Sequence, residues 1–186
     1  MAEIVDITPE ESIQQNLNHW CLEVGSEFEK HSIKAANKFI KYINKETVVD
    51  LGCGDGAATN VFLKNGNKVI AVDINKEKLK HINKKADIIC QDAISYMKYT
   101  VLQNVFMHHA LEHIVNYQEV LDSISKKLVK NGYCYIAVPK GDKPHSVHHV
   151  AFSSIEEITP PGLTVIDSNA VDDNEWPEYW VIAKKV

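Results

Sequence analysis

At 186 residues, with 45% apolar and 24% charged side chains, the chain is long enough for one domain with a sizeable core and has the makeup of an ordinary soluble globular protein. Net charge is −5 and no basic run forms a stripe, which weighs against sequence-independent nucleic-acid binding, a mode that lives on phosphate neutralisation. All 20 basic residues are lysine, so the planar guanidinium clamp for phosphate or carboxylate is missing and NADP is disfavoured as a cofactor.

No apolar run approaches membrane-spanning length, and Met1-Ala2-Glu3-Ile4 lacks the basic-then-apolar pattern of a leader, so no membrane partner is expected. The four cysteines (Cys21, Cys53, Cys90 and Cys134) have no C-x-x-C spacing. They read as small buried residues of a reducing compartment, and the cytoplasm is the expected location.

In chain order, Thr8-Pro9-Glu10-Glu11 is a capping box with proline at the first helical position. Ile13, Leu17, Trp20, Cys21, Val24 and Phe28 continue at helical spacing, with Gly25 as a stop and Trp20 read as core. Ile33, Ala36, Ile40 and Ile43 mark a second helix. From Thr47 the chain alternates. Strands are expected at 47–51, 68–73, 86–90, 101–107 and 133–138. The intervening helices are punctuated by Gly66 as a stop, Asn75 and Asn116 as caps, and Asn131-Gly132 as a stop after Leu128.

The tail differs: Ser154-x-x-Glu157 caps a short helix, Pro160-Pro161-Gly162 turns, and 163–167 and 178–183 extend without a long helix between them. The expected fold is α/β, a doubly wound, Rossmann-like, mostly parallel seven-stranded sheet with an antiparallel C-terminal hairpin. Residues 1–186 read as a single unit, with 1–44 as a helical cap and 45–186 as the core.

The first strand carries the chain's organising stretch, Val48-Val49-Asp50-Leu51-Gly52-Cys53-Gly54-Asp55-Gly56. A buried strand that breaks into alternating glycines before a helix lets backbone approach a ligand and turns free N–H groups toward it. Gly52, Gly54 and Ala57 also fit the dinucleotide fingerprint, with Asp73 about 20 residues on, where that fingerprint wants an acid. An NAD-dependent dehydrogenase therefore stays open at this point.

With its acidic positions placed, the chain resembles the class I S-adenosylmethionine-dependent methyltransferases over about residues 30–186, in their small-molecule branch. Val49 to Gly56 is similar to that family's first motif. Asp73-Ile74 falls where the family holds the ribose hydroxyls, and Asp92-Ala93 where it contacts adenine. Leu111-Glu112-His113-Ile114 and the Leu128…Asn131-Gly132 run complete the resemblance. It implies S-adenosylmethionine as cofactor, bound by Asp50, Gly52, Cys53, Gly54, Asp73, Ile74, Asp92, Ala93 and His108. Physically, Asp50 suits the cationic end of that ligand, the glycine-turn amides suit its carboxylate, and Asp73 suits a pair of hydroxyls. Helix capping is the plainer duty for Asp73 and Asp92.

Nine histidines are unevenly placed, with His108, His109 and His113 after the fourth strand and His145, His148 and His149 after the fifth. Both sets are expected at the active-site mouth, where strand ends open. On a helical turn His109, Glu112 and His113 would share a face. Some quinone O-methyltransferases and the small-RNA 2′-O-methyltransferases carry a similar E-x-x-E-H there plus a later histidine, which implies a divalent metal on His109, Glu112 and His113 with His148 or His149 as the last ligand. Histidine in place of the first glutamate favours zinc or iron over magnesium.

Methyl transfer to a hydroxyl or protonated amine needs a base, and His109, His113 and His149 are the candidates. The fourth strand runs into Phe106-Met107-His108-His109, with no N/D-P-P-Y for amino-methylation of DNA bases. A small-molecule acceptor is expected, with an RNA 3′ end next, and a catalytically silent cofactor-binding protein as the non-enzymatic reading.

Overall fold

The computed structural model describes residues 1–18, 26–141, 143–144, 147–172 and 176–186. Expectations for Trp20, Cys21, Val24, Gly25 and His145 lie outside these residues.

The elements run β1 (Glu3–Ile4), α1 (Pro9–Asn18), α2 (Glu27–Phe39), β2 (Val48–Leu51), α3 (Ala57–Asn65), β3 (Val69–Asp73), α4 (Lys76–Leu79), β4 (Asp87–Cys90), α5 (Ala93–Met97) and β5 (Leu102–His108). A single 3-10 turn, Leu111–His113, leads to α6 (Tyr117–Lys127), β6 (Leu128–Pro139) and β7 (Val150–Ala151). A second, Glu156–Ile158, precedes β8 (Thr164–Val171) and β9 (Glu178–Lys184).

Seven strands form one sheet in the order β4-β3-β2-β5-β6-β9-β8. The first five are parallel, while β9 pairs antiparallel with both β6 and β8. The expected doubly wound sheet and closing hairpin are both present. Successive residues enter opposite cores: Val48 and Phe106 pack on one face, Val49, Val105 and Met107 on the other. That alternation, with β2 buried along its whole length, is why its sequence reads as continuously apolar apart from Asp50. On one face Phe62 packs edge-on against Phe39 and Phe106, with ring centroids 6.2 and 5.2 Å away.

Local signals set most boundaries. The capping box closes reciprocally, Thr8 N–H donating to Glu11 Oε2 (2.8 Å) and Glu11 N–H to Thr8 Oγ1 (3.2 Å). Gly66 ends α3 at φ 89°, a left-handed cap.

Two expectations need correction, on Phe28 and on the stretch Leu128 to Gly132. Phe28 belongs to α2, because Ser26 caps that helix by accepting from Glu29 N–H. Ile13 and Leu17 remain 39% and 38% exposed, so the apolar face of α1 is only partly covered. α6 stops at Lys127, and Leu128 onward is strand. Gly132 is therefore a close-approach residue: a Cβ there would meet the Gln103 carbonyl at 2.4 Å. Finally, β1 pairs antiparallel with β7 in a small separate sheet, and Val5 N–H donates to the His149 carbonyl at 3.0 Å.

Among the described residues no helix is long and apolar enough to cross a membrane. Truncating the fully buried Phe62 to alanine should cost about 3–5 kcal/mol of stability, read as a lower urea midpoint with an unchanged slope.

Candidate active site

A cavity of about 450 Å³ opens at the C-terminal ends of β2, β3 and β5 and is roofed by α1 and α2. That volume suits a small-molecule site, and the position is where parallel sheets bind ligands.

The glycine turn forms one wall. Gly52 (φ 71°) must be glycine, since a Cβ there would lie 2.4 Å from the Ala110 Cβ. Gly54 (φ 55°) has nothing within 4 Å of the place its Cβ would take. The amides, however, are already engaged. Gly52 and Cys53 N–H both donate to the Val72 carbonyl, Gly54 N–H donates to Asp73 Oδ2 (2.9 Å), and Gly56 N–H donates to the Cys53 carbonyl. The expectation that these amides greet a ligand carboxylate is corrected. The N–H groups of the first turn of α3 remain, since its N-cap Gly56 supplies no side-chain cap and Ala57 and Ala58 lie in the cavity wall. Burial pushes the Cys53 thiol well above its usual range, so it stays a thiol.

Three acidic residues reach the cavity from three strand ends. Asp73 is pinned by two amides, Gly54 to Oδ2 and Asn75 to Oδ1 (2.8 Å). Asn75, rather than Asp73, caps α4. Asp92 does cap, accepting from Ser95 N–H at 2.9 Å, while still facing the cavity beside Ala93; Ile74 supplies an apolar wall. Asp50 is buried and accepts a 2.6 Å hydrogen bond from Thr59 Oγ1. Burial raises its pKa to about 7; the Thr59 bond opposes that shift and the charge of Asp73 adds to it.

Histidines build the opposite wall, differently from expectation. His109 has φ 49°, and the turn after it is 3-10, so His109, Glu112 and His113 do not share a helical face. His109 Nε2 instead points to Glu178 Oε2 at 3.3 Å, joined by His31 Nε2 at 2.9 Å and His108 Nε2 at 3.8 Å. Burial drives His108 and His109 below the ordinary histidine pKa; repulsion from neighbouring histidines (His109 and His31 on His108, His31 and His148 on His109) assists, and Glu178 opposes. For Glu178 burial alone would raise the pKa, but hydrogen bonds from His109 and His31 outweigh it and hold it at about 2. His108 and His109 therefore favour the neutral form beside an ionised Glu178.

The anticipated metal set is thereby divided. Glu112, His113 and His148 stay together, their ligand atoms within 4.8 Å of one another, while His109 leaves for the group around Glu178. His109 Nδ1 remains 3.7 Å from Glu112 Oε1. His113 Nδ1–H donates to the Val147 carbonyl at 2.8 Å, which puts the lone pair on Nε2. His149 is absent from the cavity wall. It is fully buried, donating from Nδ1 to Ser12 Oγ (2.7 Å), which donates in turn to the His113 carbonyl, so it ties α1 to the turn after β5. His31 and Glu178 escaped sequence reasoning. The one signal was a charged residue opening an otherwise apolar strand, Glu178-Tyr179-Trp180-Val181-Ile182-Ala183.

The chain belongs to the methyltransferase-domain family, whose model matches residues 26–168. Among solved structures it is similar to 1,6-didemethyltoxoflavin-N1-methyltransferase from Burkholderia thailandensis, with 19% identity, a TM-score of 0.73, and coverage of 100% of this chain and 95% of that one. A SAM-dependent methyltransferase from Archaeoglobus fulgidus gives 22% identity and a TM-score of 0.68, covering 84% and 94%. The N-methyltransferase NodS from Bradyrhizobium japonicum gives 11% and 0.73, covering 94% and 97%. No curated protein matches the sequence. Family membership sets aside the dehydrogenase reading, and the antiparallel β9 inserted between β6 and β8 agrees with that.

Because Asp50 holds its proton more tightly folded than unfolded, its contribution to stability is greatest below about pH 4 and is lost as pH rises toward 7. The ligand-free protein should lose up to about 1.4 kcal/mol per pH unit from this group across that window. Asp50→Asn should flatten that part of a denaturation-versus-pH series.

Proposed function

We propose that the protein transfers the methyl group of S-adenosylmethionine to an oxygen or nitrogen of a small-molecule acceptor. One observation carries this reading: Asp50, Asp73 and Asp92, at the ends of three neighbouring strands, converge on one cavity behind a glycine turn. The residues present fit the group. Asp73 is anchored by backbone amides yet keeps lone pairs for a pair of ribose hydroxyls. Ile74, Asp92 and Ala93 suit the adenine end, and Gly54 leaves room for close approach. Asp50 and the uncapped start of α3 offer opposite charges to the ammonium and carboxylate of the amino-acid end.

When bound, this cofactor supplies an electrophilic methyl carbon on a sulfonium. The chain's own residues must then align an acceptor atom behind that carbon, exclude water and remove a proton. His113 is suited to the last task, because its Nδ1–H is fixed on the Val147 carbonyl and its Nε2 is the basic atom. His149 is buried away from the cavity and is not proposed as a base. The family supports methyl transfer, and the small heterocycle held by the Burkholderia enzyme supports an acceptor of modest size.

Calorimetry should show S-adenosylmethionine binding at one site, weakened about 10- to 100-fold by Asp73→Asn, the scale of a charge-assisted hydrogen bond. In an acceptor screen read by release of S-adenosylhomocysteine, His113→Ala should lower kcat by about 10²- to 10⁴-fold and leave cofactor affinity nearly unchanged. Failure of the cofactor to bind would overturn the reading. Binding with no turnover on any acceptor, small or RNA, would favour a silent cofactor-binding protein.

A further inference from the structure

His31 comes from α2, His108 and His109 from the end of β5, and Glu178 from the start of β9. Among the described residues these four form a group whose ligand atoms all lie within 4.8 Å of one another. The distances to Glu178 Oε2, 2.9, 3.3 and 3.8 Å, bracket the edge of a tetrahedron with bonds near 2.0–2.1 Å, which is about 3.3–3.4 Å. We propose that His31, His108, His109 and Glu178 bind one divalent first-row transition ion, zinc foremost.

A hydrogen-bonded cluster without an ion accounts poorly for His108. Its side chain is buried, and among the described residues neither ring nitrogen has a hydrogen-bond partner. Burying an imidazole in that state leaves its desolvation uncompensated. Its Nε2 faces the same carboxylate oxygen that His31 and His109 already approach, a point where three nitrogens converge on one acceptor. A cation seated between Glu178 Oε2 and the three nitrogens takes one lone pair from each imidazole, with His31 and His109 carrying their protons on Nδ1 instead of Nε2.

The surroundings agree. His109 turns its other nitrogen toward Glu112, the outer carboxylate that metal-bound imidazoles commonly have. Phe28 packs on His108 and His109, and Trp176 on His31 and His109, which gives the group an aromatic, water-poor shell. Three imidazoles with one carboxylate select zinc, iron, cobalt or nickel, whereas magnesium and calcium require oxygen ligands. The neighbouring Glu112, His113 and His148 offer one donor fewer, and His113 has already committed Nδ1 to a carbonyl. Phe28, His109 and Trp176 also line the cavity, so the ion stands in the wall facing the acceptor. That last placement alone rests on the methyl-transfer reading; ion binding does not.

The test uses the full chain, stripped with chelator and titrated with Zn²⁺ and Co²⁺. Expected results are one equivalent of zinc by mass spectrometry, visible d–d absorption from bound Co²⁺, and a metal-dependent rise in Tm. His31→Ala and Glu178→Gln should each weaken binding on the order of tenfold or more. Glu112→Gln and His148→Ala should preserve the stoichiometry. Circular dichroism and S-adenosylmethionine calorimetry on every variant separate loss of the site from loss of the fold. Absence of stoichiometric Zn²⁺ or Co²⁺ binding by the folded wild-type chain overturns the proposal. So does a site abolished by His148→Ala but untouched by His31→Ala and Glu178→Gln. Metal binding by a chain that fails to bind S-adenosylmethionine would sink the methyl-transfer reading and leave this one standing.

Discussion

The mouth of the cavity is held by one side chain. Asp73 takes the Gly54 amide on one oxygen and the Asn75 amide on the other, so the turns leaving β2 and β3 are fastened to the same carboxylate. Hydrogen bonds from backbone amides to an ionised group are among the stronger ones in a protein, and two of them fix a loop that glycine alone would leave loose. The glycines then have distinct duties: Gly52 admits Ala110, while Gly54 faces open space. Asp50 meets the opposite circumstance, buried beside Asp73 with a hydroxyl as its hydrogen-bond donor. The two carboxylates therefore differ: one is anchored by amides, the other poised to change protonation when a cation arrives.

Much of this was legible in the sequence because it is local. Alternating Val48, Val49 and Leu51 state a strand buried on both faces, and Gly52-x-Gly54-x-Gly56 states a turn with left-handed backbone, whatever surrounds them. The Thr8–Glu11 box and the Gly66 cap act within four residues and were equally readable. Errors fell where a local pattern had two outcomes. Leu128 continues the helical spacing of Val120, Leu121 and Ile124, yet it begins a strand, because pairing with Leu102 and the approach of Gly132 to Gln103 decide the matter. The pairing of β1 with β7 spans most of the chain and leaves no mark in either segment.

The histidines show the same limit at the site. H-x-x-E-H promises a shared face only if the backbone is α-helical, and one positive φ at His109 removes that condition. What gathers His109 instead is Glu178, with His31 reaching the same carboxylate across 147 residues of chain. No spacing rule spans such a separation. His149 misled for a related reason: its position after β6 suggested the mouth, but its imidazole turns inward to fasten α1 through Ser12.

The two ends of the cavity are thus made by different kinds of constraint. The cofactor end is built from strand ends and the turns that follow them, and any sheet with this crossover presents it. The histidine wall depends on the register of β9. Glu178, Trp180 and Ile182 share one face of that strand, while Val181 and Ala183 fill the core on the other. A slip of one residue would send Glu178 out of the histidine cluster and Trp180 out of its stack on Tyr135, and would force Val181 into their place. Apolar packing along β9 therefore positions a buried carboxylate that carries no packing energy of its own, and the place of Glu178 among the histidines is secured by the hydrophobic residues two and four positions further along.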